Sequence, residues 1–324
     1  MVAQVRASRE RQIDDRQITR TIEPALESRR RVVVRNLSPS FGRLAAAEPG
    51  DPMTDAARLA AGYESADPLL DRRAIYSYLE RPSDITRDIV DLIQASVSRP
   101  RMLDVGCGPG THLANVGDAI GARKRFALDF SAAMASEARS SLHSAGGSAL
   151  VGDAQSLPFA DDQFDVVLAL HMLYHVPDID RACREINRVM TDDATVVVTT
   201  NSDRHLHGLS TLVARSVEAL IGEPLAMPPT PPTRFSAENG EAILLRTFSS
   251  VSVRSTVNRL VVPKADPVVR YVNSTQSSYE HGLPANVSWA GLIEACRSIV
   301  EGEIRERGAW IDDCGGVIFI CRSA

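Results

Sequence analysis

Between residues 100 and 200 short apolar runs alternate with amphipathic stretches. Met102–Val105, Arg125–Asp129, Ala149–Val151, Phe164–Leu170 and Thr195–Thr200 read as strands. The segments near 111–121, 131–143 and 178–190 carry helical periodicity. Strands without polar alternation, separated by helices, predict a parallel sheet covered on both faces. Upstream, Asp67-Pro68 with Leu69, Leu70, Ile75 and Leu79 predicts one helix. Ser83 caps a second with Ile85, Ile89, Leu92 and Ile93 on one face. Downstream the rhythm loosens. A helix near 206–221 precedes a loop with Pro224, Pro228, Pro229, Pro231 and Pro232. Ser250–Val262 alternates as a strand, residues 266–307 are helical in two pieces, and Gly316–Cys321 is a final apolar strand.

The first fifty residues stand apart. Ten arginines face six acids, a net of +4, so the rest carries −9 of the overall −5. With little apolar periodicity, residues 1–52 are expected to be a disordered basic extension. Met53 opens the first segment with an ordered pattern. Residues 53–98 are expected to form a helical cap. Residues 99–324 are expected to form the main domain, with a helical substrate cap inserted at about 265–310. An acidic body argues against general nucleic-acid binding, which needs a basic face. The sequence holds no apolar run of the roughly 18 residues that a membrane span requires. Cys107, Cys183, Cys296, Cys314 and Cys321 form no CxxC pair, so neither a zinc pattern nor a secreted disulfide framework is expected, and a cytoplasmic protein is.

The chemistry concentrates in Leu103-Asp104-Val105-Gly106-Cys107-Gly108-Pro109-Gly110-Thr111. An apolar strand runs into a glycine-rich turn and then a helix. Glycine serves where backbone adopts positive φ or comes close to a ligand. The helix start offers free N–H groups. A dinucleotide fingerprint would need glycine where Thr111 stands. No Walker lysine follows, which disfavours nucleotide hydrolysis. Asp129 ends the second strand, placed to accept from two ribose hydroxyls.

The pattern of Asp104, Gly106, Gly108 and Gly110 resembles motif I of the class I S-adenosylmethionine-dependent methyltransferases. The stretches around Asp129, Asp153 and Phe164–Leu170 follow in that family's order. The run from 101 to 200 looks like the small-molecule branch, which includes quinone C-methyltransferases. The resemblance implies a doubly wound α/β sheet of seven strands, order 3-2-1-4-5-7-6, the last antiparallel, with helical cap elements. It implies S-adenosylmethionine as cofactor, bound by Asp104, Gly106, Cys107, Gly108, Gly110, Asp129, Phe130, Met134, Asp153, Ala154 and His171. Phe130 and Met134 would pack near the adenine, with Met134 equally readable as core. Asp153 would accept from the adenine amino group, and the Ala154 N–H would reach the ring. His171-Met172-Leu173-Tyr174 stands where amino-methylating DNA enzymes carry an (N/D)PP(Y/F) motif.

His171, just past the fourth strand, is the best candidate for a general base. His175 is a weaker one, readable as structural, and His205 and His207 are weaker still. Aromatics gather in the two cap segments: Tyr63, Tyr76 and Tyr78 in one, Tyr271, Tyr279 and Trp289 with His281 in the other. The expected function is methyl transfer to an O, N or C atom of a small molecule. A cofactor-binding protein without methyl transfer, and a macromolecule methyltransferase, stay open, as does the oligomeric state.

Overall fold

A computed structural model describes residues 67–81, 84–93, 98–223, 234–279 and 282–323. The expected basic extension, Met53, Tyr63, Ser83, His281 and the proline cluster at 224–232 lie outside the described residues.

The chain enters through α1 (Asp67–Ala74), continued by a 3-10 turn (Ile75–Tyr78), and α2 (Ile85–Ile93). Asp84 starts α2, its Oδ1 accepting from the N–H groups of Thr86 at 3.0 Å and Arg87 at 3.2 Å. Then come β1 (Arg101–Val105), α3 (Thr111–Ala119), β2 (Lys124–Asp129), α4 (Ala132–Leu142), β3 (Ser148–Val151) and β4 (Phe164–Leu170). α5 (Ile179–Val189), β5 (Met190–Asn201), α6 (His207–Ile221), α7 (Gly240–Leu244) and β6 (Ser250–Val262) follow. The C-terminal part is α8 (Ala265–Asn273), α9 (Gln276–Tyr279), α10 (Trp289–Arg307) and β7 (Trp310–Arg322).

The seven strands form one sheet in the order β3-β2-β1-β4-β5-β7-β6, as the resemblance implied. β1 to β5 pair in parallel, and β7 runs antiparallel to β5 and β6. Every residue of β1 is buried, which explains its lack of polar alternation. α5 buries Ile179, Ala182, Cys183, Ile186 and Val189, a single stripe at helical spacing. Its first turn is capped by Asp178, which accepts from Arg181 N–H at 2.9 Å.

Three sequence expectations need correction. β5 begins five residues before Thr195 and β7 six before Gly316. Their early parts carry the polar residues Asp192, Asp193, Asp312 and Asp313, so an apolar-run criterion stops short. The helical insertion is in three pieces, not two. The short α7 was not foreseen.

The long β7 has a structural role. Its ladder with β5 stops at Asn201↔Gly316, whereas its ladder with β6 continues to Val262↔Trp310. Beyond Gly316 the β6–β7 pair leaves the parallel sheet as a ribbon. α6, α8 and α10 pack with it around Leu209, Val213, Leu260, Val268, Leu292 and Trp310. A second core lies against β1, β2 and β4, with α2, α3 and α4 supplying Ile89, Ile93, Leu113, Ala138 and Leu142. The 3-10 turn joins the ribbon core through Ile75 and is strapped to β6. Glu80 N–H donates to Arg259 O at 2.8 Å, and Asn258 Nδ2 to Arg81 O at 2.6 Å.

Candidate active site

The C-terminal ends of β1, β2, β3 and β4 lie on one edge of the sheet, where doubly wound folds bind ligands. After β1 the chain turns through Gly106, Gly108 and Gly110 with φ of +69°, +53° and +78°. The three glycines are needed for different reasons. A Cβ on Gly106 would come within 2.7 Å of the Met172 Cβ, and one on Gly110 within 3.0 Å of Ala138. A Cβ on Gly108 would meet nothing within 4 Å. Gly106 and Gly110 therefore serve packing as well as conformation, while Gly108 turns bare backbone toward open space.

Asp129 fixes that turn. Its Oδ2 accepts from Gly108 N–H and its Oδ1 from Ser131 N–H, both at 2.8 Å. A carboxylate has about four lone-pair sites, so each oxygen keeps capacity for a ligand hydroxyl. Burial raises the Asp129 carboxyl, and the two backbone N–H bonds oppose the rise. Asp104, 1% exposed, is raised well above the usual carboxylate range by burial and then by the charge of Asp129. A cation brought close to this pair would reverse that rise. Cys107 is buried, its thiol pushed up by burial and then by Asp104 and Asp129, so it is an inert thiol.

Phe130, one residue beyond β2, is 56% exposed, an apolar ring left open beside the site. Met134 is 1% exposed and is a core side chain of α4. Past β3, Asp153 Oδ1 accepts from Gln155 N–H at 2.8 Å. Gln155 in turn accepts from Asp178 N–H at 3.0 Å, tying this loop to the start of α5. Ala154 is buried.

His171 follows β4 in the left-handed region, φ +54°, a conformation uncommon for a side chain with a Cβ. Its N–H donates to Thr199 O at 3.0 Å and to Thr199 Oγ1 at 3.1 Å, which holds the turn against β5. The residue is exposed to solvent, although protein groups lie close enough to act on its charge. Its pKa is pushed down to about 4, first by desolvation and then by His205, His112 and Arg73. Water offsets part of the desolvation, but the direction leaves the imidazole neutral at pH 7. The ring itself makes no hydrogen bond among the described residues. His175 ends the next 3-10 turn, its ring edge-on to Tyr174 with centroids 4.4 Å apart. His207, at the start of α6, is exposed.

The neighbours of His171 come from distant segments. Arg73 of α1 hydrogen-bonds His112 Nε2 and, at 3.4 Å, Thr111 Oγ1. His112 is pushed down to about 4 by burial and then by Arg73. His205 donates through Nδ1 to Gly315 O at 3.0 Å, and its Nε2 lies 2.9 Å from the Tyr76 hydroxyl. Burial pushes His205 down to about 4. Arg73 and His112 carry no sequence motif, and their only signal was the amphipathic α1 ahead of the glycine turn.

These residues fit S-adenosylmethionine. The open backbone at Gly108, the spare lone pairs of Asp129, the exposed Phe130 ring and the buried acid Asp104 suit its methionine, ribose, adenine and ammonium parts. Residues 103–198 match the family model described as "Methyltransferase domain". Ajmaline N-methyltransferase of Rauvolfia serpentina is 33% identical over 119 residues, 33% of this chain and 38% of that one. Methyltransferase GfsG of Streptomyces halstedii is 33% identical over 129 residues, 36% of this chain and 46% of that one. This chain thus aligns with less than half the length of either relative. A putative methyltransferase from Bacillus halodurans, solved by crystallography, covers 72% of this chain and 97% of its own at 15% identity, with a TM-score of 0.47. Residues 103–198 are a methyltransferase domain of the class I S-adenosylmethionine-dependent family, and S-adenosylmethionine is the cofactor that this domain implies.

Proposed function

We propose that the chain transfers a methyl group from S-adenosylmethionine to a small-molecule acceptor. The observation that carries the reading is the left-handed Gly108, open to space and locked by Asp129 at 2.8 Å. When bound, the cofactor supplies a methyl on a positively charged sulfur, already activated for transfer. The chain then has to bind, orient and exclude water. Holding an acceptor in line can supply as much as about 7–11 kcal/mol of the barrier.

In this reading Asp129 accepts from the ribose, Asp153 accepts from the adenine amino group, the Ala154 N–H donates to the adenine ring, and Asp104 faces the ammonium. Gly106 and Cys107 shape the turn, and Phe130 covers the adenine. His171 borders the reacting methyl. With no partner fixing either tautomer, its ring is better suited to touching the acceptor than to removing a proton. Arg73, His112, Tyr76 and His205 lie on the acceptor side in this reading. No helix among the described residues is long and apolar enough to cross a membrane.

The test incubates the full chain with S-adenosylmethionine and a panel of phenols, amines, carboxylic acids and quinones. Mass spectrometry then reads a gain of one methylene unit. One acceptor class should gain it. Cofactor binding with no methylation in any class would instead mark a binding protein on the same fold.

A further inference from the structure

We propose that Tyr76 and His205 form the proton-accepting pair of the site, and that the acceptor is therefore a hydroxyl compound. The proposal rests on the methyl-transfer reading. The two residues lie 129 positions apart and meet by a hydrogen bond of 2.9 Å. Both ends of the His205 ring are held. Nδ1 lies 3.0 Å from Gly315 O, a carbonyl that can only accept, so Nδ1 carries the hydrogen. Nε2 is left as the acceptor, and the Tyr76 hydroxyl donates to it. Gly315 sits where the β6–β7 ribbon leaves the sheet, next to Ser202, whose N–H also donates to Gly315 O at 3.0 Å.

Tyr76 is fixed just as firmly. Its turn is strapped to β6, and the preceding Arg72 donates to Ser274 O of the segment after α8 at 3.1 Å. Its ring packs on the ribbon core and lies 6.1 Å from the His205 ring. Tyr271, Cys314, Tyr174 and Arg72 surround it. Burial raises the Tyr76 phenol far above its ordinary range, so it stays protonated and can lose its proton only as another arrives. His205 in turn is among the groups that lower the pKa of His171, just past the end of β4.

The step balances. The acceptor oxygen bonds the methyl carbon as the carbon–sulfur bond breaks, and that electron pair stays on sulfur. The acceptor's proton passes to Tyr76 Oη while the Tyr76 proton passes to His205 Nε2. The products are a methyl ether, a neutral thioether and an imidazolium. The positive charge that enters on sulfur leaves on His205, so the net charge of the cleft does not change. A cleft that disfavours an added cation is therefore no obstacle. His171, with an unanchored ring, offers no comparable path.

The experiment uses the full chain with two phenols of similar shape, one un-ionised and one nitro-substituted and ionised at neutral pH. Tyr76→Phe keeps the ring and removes the relay oxygen. His205→Asn keeps a donor for Gly315 O and removes Nε2. Each variant should lower turnover of the un-ionised phenol about 10²-fold more than turnover of the ionised one. The double variant should be no slower than either single. Cofactor affinity, read by calorimetry, should stay at the wild-type value and report the fold; if one variant unfolds, the other carries the test. Equal losses on both phenols would make the pair a structural pin and overturn the proposal. A wild type that methylates only amines or carbon atoms overturns it and leaves methyl transfer standing. A wild type that binds cofactor and methylates nothing overturns both.

Discussion

The two halves of the proposed site are built on different principles. The cofactor half comes from one continuous stretch, Asp104 to Ala154, at the ends of three adjacent parallel strands. Its working parts are largely backbone: three left-handed glycines and the N–H groups that Asp129 and Asp153 collect. The proposed acceptor half draws on Arg73, Tyr76, His112, His171 and His205, which come from distant parts of the described chain. Its working parts are side chains, and their partners are fixed by tertiary packing. Backbone conformation constrains residue type locally, so the first half can be re-used unchanged. Side-chain pairs across long separations can be exchanged without disturbing the fold.

The largest effect should come from breaking the cofactor half where packing and conformation coincide. Gly106→Ala adds a left-handed strain of about 1–2 kcal/mol and overpacking against Met172 of about 1–3 kcal/mol. The combined loss of about 2–5 kcal/mol is a large share of a typical stability of about 5–15 kcal/mol. Gly108→Ala carries only the first cost, because its Cβ meets no protein atom. It should weaken the cofactor more than the fold. Denaturant titration and calorimetry on the two variants separate these outcomes, and equal stability losses would erase the distinction between packing and ligand glycines.

Asp129→Ala comes next. It removes the charged acceptor of the ribose hydroxyls and unlocks Gly108. Hydrogen bonds to charged groups contribute about 1.5–3 kcal/mol each, so cofactor affinity should fall at least tenfold. An unchanged dissociation constant would mean that the ribose binds elsewhere.

Substitution in the acceptor half should leave the cofactor alone. His171→Asn is expected to lower turnover less than about tenfold, with cofactor affinity nearly unchanged. A loss of about 10²-fold on an un-ionised acceptor would return the base role to His171.

The smallest effect is on acid stability. His112 and His205 fall from an ordinary value near 6.5 to about 4 in the folded chain. Between those values the unfolded chain binds more protons than the folded one, so stability rises with pH through that window and falls on acidification. For His112, the Arg73 charge adds to this and the nearby Asp84 opposes it. Denaturant titrations at pH 7 and pH 5 should show a smaller pH 5 loss in His205→Asn than in the wild type. Equal losses would show that the ring is not titrating.

The same division explains what was legible in the sequence. β1, β2, β3 and β4 were readable because buried parallel strands leave uninterrupted apolar runs beside glycine turns. The glycine loop, Asp129 and Asp153 were readable because a local backbone shape demands those residues. Phe130 stands exposed just beyond β2, and Met134 is buried in α4. α6 was readable near 206–221, but the cap at its N-terminus was not. Asp312, from β7, accepts from Gly208 N–H at 2.9 Å and Leu209 N–H at 3.0 Å. That cap lies about a hundred residues from the helix it serves. The first residues of β5 and β7 were hidden by their acids. Tyr76 and His205 were visible as residues, but nothing local announced that they meet. Arg73 and His112 carried no motif of their own, since helices can carry an arginine or a histidine for solubility alone.

The most direct test of the central claim is a calorimetric titration of the full chain with S-adenosylmethionine, its demethylated product and NAD. The methionine cofactor and its product should bind with one-to-one stoichiometry, and NAD should not bind. Tight binding of NAD, with none of the methionine cofactor, would contradict the assignment of the glycine turn and of the cleft built on it.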